Sequence, residues 1–102
     1  MVPAPQPSTT HGVGDLRKEA GFWLKSLRKK ARLSQRALAQ EVGFTYYTTI
    51  AQIEAGKLRL QPDRCEAYAR ALGVPDSQEF IKQLMSYYDP VTHRALFGDD
   101  KA

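Results

Sequence analysis

Cysteine is almost absent from this chain of 102 residues, which holds a single one, Cys65. One thiol excludes an intramolecular disulfide framework and fits a reducing, cytoplasmic setting. No apolar run approaches the roughly 18 residues that a membrane helix needs. The first residues, MVPAPQPSTTHGVG, lack the apolar centre of a secretory signal. Proline is scarce where it would break structure: between Asp15 and Gly73 only Pro62 intervenes. No stretch alternates convincingly as a strand, and no repeat of solenoid length recurs. What remains is one modest domain of ordinary globular composition, 42% hydrophobic and 25% charged.

The charge is unevenly placed. Residues 16–36 carry Arg17, Lys18, Lys25, Arg28, Lys29, Lys30, Arg32 and Arg36 against Glu19 alone, eight minus one, or +7. Residues 37–102 carry seven basic and nine acidic groups, or −2, and Asp15 brings the total to +4. A basic N-terminal half suits a polyanionic partner, because affinity for nucleic acid rests largely on neutralising phosphates. A solvated helix face is the other reading that charge alone leaves open.

Periodicity and caps predict an all-α chain of five helices behind a disordered tail at residues 1–14. That tail holds three prolines and two glycines and buries too little to offset ordering. Asp15 is expected to cap the first helix, whose stripe is Leu16, Ala20, Trp23, Leu24, Leu27 and Ala31. Gly21 interrupts the stripe, so the regular part is expected to begin near it. Ser34 caps a second helix, Gln35 to Val42, which Gly43 ends in a left-handed conformation. A third begins at Thr45 or Tyr46 and runs to Glu54, with Ile50 and Ile53 inward. At about 100° per residue Tyr46 joins them, while Thr48 and Gln52 face out. Pro62 opens a fourth helix to Leu72. Asp76 or Ser77 caps a fifth, to Tyr88, and Val91 to Phe97 form a short apolar arm or helical turn.

Two short helices meeting at Gly43, the second with a polar outer face, have the shape that lets one helix cross a phosphate backbone while its neighbour enters the major groove. The residues Leu27-Arg28, Leu33-Ser34-Gln35, Leu38-Ala39, Gly43, Ile50, Ile53-Glu54 and Gly56 closely resemble the phage-repressor and Cro (Xre-type) helix-turn-helix family. The resemblance covers about Leu24 to Val74. It implies a lambda-repressor-like DNA-binding domain over residues 15–75, followed by a C-terminal helix and arm over 76–102.

The sequence departs from the family by one extra residue between Gly43 and Ile50. Counting back from Ile50 puts the family's base-reading positions on Tyr47, Thr48 and Gln52. Counting forward from Gly43 moves the first two to Tyr46 and Tyr47, and the expected inward direction of Tyr46 favours the first count. The resemblance implies phosphate contact by Gln35, with Ser34 beside it, and by Lys57 and Arg59. Arg36 and Tyr46 are expected at the same backbone. It also implies an ion pair between Arg28 and Glu54, a structural tie that answers the problem of a charge near the inner face of the third helix.

The wide apolar face of helix five, Phe80, Ile81, Leu84, Met85 and Tyr88, with Leu96 and Phe97, predicts a homodimer contact. Enzymatic readings are weak. His11 and His93 have no metal-ligand spacing, Cys65 sits on a core stripe, and Gly12 and Gly14 lack the third glycine of a phosphate loop. The expectation is a non-enzymatic regulator, needing no cofactor or metal, that binds double-stranded DNA as a dimer on a palindromic operator and represses nearby genes. A protein-interaction module, an antitoxin or antiactivator masking a protein partner, is the alternative.

Overall fold

The computed structural model describes residues 13–98, and it is all helix among them: α1 Val13–Lys30, α2 Gln35–Val42, α3 Thr48–Glu54, α4 Pro62–Ala71, α5 Ser77–Tyr88 and α6 Pro90–Phe97. The tail expected to be disordered falls outside the described residues, except for Val13 and Gly14, which open α1. Asp15 therefore lies in the first turn of α1 and is not its cap. A carboxylate there still favours the helix, because it faces the positive end of the helix dipole.

Gly21 does not interrupt α1. It is buried, and a Cβ on it would meet the Glu54 carbonyl carbon at 2.7 Å and the Ile53 carbonyl oxygen at 2.8 Å. Only glycine lets α1 lie this close to the end of α3, and the packing it permits offsets its low helix propensity. α1 ends where Arg32 takes a left-handed φ of 62° and the Leu33 N–H donates to the Arg28 carbonyl at 3.2 Å. This is a helix-ending motif with arginine in the place glycine usually fills.

Local chemistry sets the next boundaries as the sequence predicts them. The Ser34 hydroxyl accepts from the Ala37 N–H at 3.0 Å, and Gly43 ends α2 at φ 91°. Pro62 sits in the first turn of α4, and the Asp76 carboxylate accepts from the N–H groups of Gln78 and Glu79 at the start of α5. Asp89 ends α5 and accepts from the Thr92 N–H, which turns the expected apolar arm into an eight-residue α6.

One core joins α1 to α5. Leu24, Leu38, Ile50, Ile53, Leu60 and Tyr68 are its largest fully buried side chains. Phe80 and Leu84 of α5 belong to it as well, each 2% exposed, and Trp23 of α1 stacks on Phe80 with ring centroids 5.3 Å apart. The boundary expected between residues 75 and 76 therefore does not coincide with any break in packing. Phe80 and Leu84 are also removed from the expected dimer surface, since the chain's own core already covers them. Tyr88 is half-buried, and its hydroxyl accepts from the Leu60 N–H at 3.1 Å. α6 buries nothing fully and rests on α5, leaving Val91, Leu96 and Phe97 exposed.

Candidate nucleic-acid interface

The site is built around α3. Ile50 and Ile53 anchor its inner face, at 0% and 1% exposure, while Thr48 and Gln52 are exposed on the other side. The segment from Gly43 to Ile50, which holds the extra residue, is a turn followed by the start of α3. Residues 43–47 make that turn, and α3 begins at Thr48. Tyr46 consequently does not share the α3 wheel. It is 69% exposed, contrary to the inward position expected for it, and Phe44 packs against the core instead.

The turn is held from both sides. The Phe44 N–H donates to the Ala39 carbonyl at 2.9 Å. Arg64 of α4 donates to the Val42 carbonyl at 3.1 Å, and its guanidinium stands over the Phe44 ring at 5.2 Å. Arg36 of α2 stands over the Tyr47 ring at 4.5 Å. Neither the Arg64 brace nor the Arg36–Tyr47 stack can be seen as a spacing in the chain, because each links residues on different elements. The nearest signal in the chain is the extra residue after Gly43.

Behind α3 lies a buried polar knot. Arg28 Nε donates to Glu54 Oε2 at 2.6 Å, and Arg28 Nη2 donates to Glu54 Oε1 at 3.1 Å. The side chains are only 9% and 3% exposed. Arg28 Nη1 also donates to the Leu33 carbonyl at 2.8 Å, and Gln35 Nε2 donates to Glu54 Oε1 at 3.1 Å. A bidentate guanidinium and a third donor satisfy a carboxylate that would otherwise be costly to bury. The knot ties α1, the start of α2 and the end of α3 together, so it fixes the angle at which α3 is presented.

The remaining residues expected at the site flank α3 in the chain. Ser34 is exposed, with its hydroxyl engaged in capping, and Gln35 is half-buried in the knot. Lys57 is exposed beyond the end of α3. Arg59, also exposed, places its guanidinium over the Tyr88 ring at 4.9 Å, so the loop after α3 rests on the end of α5. Ile81, Met85 and Phe97 line a separate cavity of about 430 Å³ between α5 and α6, to which α2 and α3 contribute nothing.

Burial determines the acid–base character of the interior groups. Desolvation pushes the Cys65 thiol up to about 11, and the carboxylate of Asp63 adds to the rise. Desolvation also raises Tyr68, whose buried hydroxyl has no hydrogen-bond partner among the described residues, and Tyr88. Cys65 is therefore a protonated, buried small hydrophobe and not a poised nucleophile. No helix among the described residues is long and apolar enough to cross a membrane.

Comparison with known proteins agrees with this geometry. No curated protein matches the chain. The model of the helix-turn-helix domain matches residues 19–80, which takes in α2, the Gly43 turn, α3 and the Arg28–Glu54 knot and stops short of α6. That match spans more than half the sequence, and the chain belongs to the helix-turn-helix domain family.

Proposed function

We propose that the protein is a sequence-specific regulator that binds double-stranded DNA, with α3 in the major groove. The observation that carries this reading is the pair Thr48 and Gln52. Both are exposed on the outer face of a helix whose inner face and C-terminal end are locked by Ile50, Ile53 and the Arg28–Glu54–Gln35 knot. A reading helix must be rigid at its back and polar at its front. Glutamine can pair with adenine through two hydrogen bonds, and the threonine methyl can pack on the thymine methyl. Ser34, Gln35, Lys57 and Arg59 hold the phosphate backbone on either side. The basic α1, which holds most of the excess positive charge, supplies long-range attraction.

The protein acts as a dimer on a palindromic operator, and as a repressor when that operator overlaps a promoter. Ile81, Met85, Leu96 and Phe97 supply the apolar contact, because two-fold dimers read two-fold sites. Selection of bound duplexes from a random pool tests the reading. Enrichment of an inverted repeat is the expected result, and a pool that stays random would overturn it. A salt series on mixed duplex then measures the phosphate contacts, since binding falls in proportion to the number of charges neutralised.

A further inference from the structure

The Arg36 guanidinium is placed by aromatic stacking. Arg36 is exposed on α2, and its guanidinium carbon is 4.5 Å from the centre of the Tyr47 ring. Among the described residues no carboxylate pairs with it. Tyr47 immediately precedes Thr48, the first residue of α3, and the Tyr46 carbonyl accepts from the Thr49 N–H at 3.1 Å, which holds the turn onto the helix. The stack thus delivers an α2 side chain to the N-terminal end of the reading helix. Arg36, Gln40, Thr45, Tyr46 and Tyr47 share one shallow cavity of about 300 Å³.

We infer that Arg36, held on the Tyr47 ring, reads a guanine in the major groove, and that Tyr47 positions Arg36 and does not itself read a base. This rests on the DNA-binding reading above and assigns a specificity to it. The N-terminal end of a recognition helix is where base edges are met. A phosphate can also accept the guanidinium fork, but it is the same on every sequence, whereas guanine O6 and N7 offer the fork a pair of acceptors at one base only. A ring beneath the guanidinium restricts its plane and lowers the entropy lost when the fork engages. Tyr47 is the N-cap of α3 and its carbonyl accepts from the Ala51 N–H at 3.3 Å, so the first turn of the reading helix carries the ring that holds Arg36.

The test uses the full chain and the operator obtained by selection, read one base pair at a time. One guanine in each half-site is expected to lose its preference in Arg36→Lys, which keeps the charge and loses the fork. Replacing that guanine by 7-deazaguanine, which removes N7, weakens the unaltered protein by about tenfold. The same replacement leaves Arg36→Ala unaffected. Tyr47→Phe keeps the preference and Tyr47→Ala relaxes it at that position alone. If the Arg36 variants instead weaken every duplex equally and keep every base preference, Arg36 holds a phosphate and the inference is wrong. If the unaltered chain enriches no sequence at all, the DNA-binding reading and this inference fall together. Should a variant fail to fold, the 7-deazaguanine substitution on unaltered protein still decides: no loss at any guanine overturns the inference.

Discussion

Glu54 accepts three hydrogen bonds and meets almost no water. Removing it in Glu54→Ala strands the Arg28 guanidinium, and breaking a buried pair in this way costs about 3–5 kcal/mol. For a domain of this size each kcal/mol moves the midpoint by about 4–8 °C, so thermal unfolding should show a fall of more than about 10 °C. An unchanged midpoint would mean that the pair contributes nothing to stability. Cys65 gives a second test at the same scale. Its native thiol holds its proton to about pH 11, against 9.0 for an ordinary cysteine, and Tyr68 and Tyr88 are raised too. The native state then binds these protons more tightly than the unfolded chain. The Cys65 contribution to stability is complete below pH 9.0 and declines as pH rises from there toward about 11, while those of Tyr68 and Tyr88 are complete below pH 10.0 and decline above it. A thiol reagent at about pH 8, below the thiol's ordinary range, should leave the folded protein unlabelled and label it after denaturation. Rapid native labelling would contradict the burial.

At the scale of elements, the α1–α3 seam and the outer face of α3 make separable predictions. Gly21→Ala adds a methyl group against main-chain atoms of Ile53 and Glu54 that cannot rotate away. Overpacking of this kind costs about 1–3 kcal/mol, and here it should also shift α3, so stability and DNA binding fall together. Denaturant unfolding beside a binding titration would show this, and a variant as stable as the parent would refute the close approach. On α3, Gln52 is exposed on the face proposed to meet base edges, so Gln52→Ala should lose about 1–3 kcal/mol on the operator and little on random DNA. Lys57→Ala should weaken both DNAs alike and reduce the salt slope by about one. Equal losses for Gln52→Ala on both DNAs would mean that the reading face lies elsewhere.

At the scale of the molecule, α5 belongs to the core and α6 lies outside it. α5 closes the core through Phe80 and Leu84, while α6 buries nothing fully and leaves Val91, Leu96 and Phe97 exposed. If the proposed dimer forms through α5 and α6, polar substitution of Ile81 and Met85, with removal of residues 91–102, should produce monomers that stay folded and bind single half-sites weakly. Sedimentation and circular dichroism on the same samples would measure this, and an unchanged sedimentation coefficient would reject α5–α6 as the contact.

The helical class, the cap at Ser34, a cap at Asp76 or Ser77, the left-handed Gly43, the outward Thr48 and Gln52 and the inward Ile50 and Ile53 are all legible in the chain. They follow from helical period and local hydrogen bonding, which act over a few residues. Other features exist only once the elements pack. Gly21 reads locally as a helix breaker, and its purpose emerges when the end of α3 lies against it. Tyr46 falls on the inner side of a helix that starts early, yet Arg64 and the core fix Phe44 inside and push the start to Thr48. Phe80 and Leu84 belong to an apolar face that is too wide for an isolated helix, and Trp23 and Tyr68 stack against Phe80 from other elements. Arg36 is one more surface cation until α2 and the turn meet and set it on Tyr47. Contacts between residues on different elements depend on how those elements pack, and no local period encodes that.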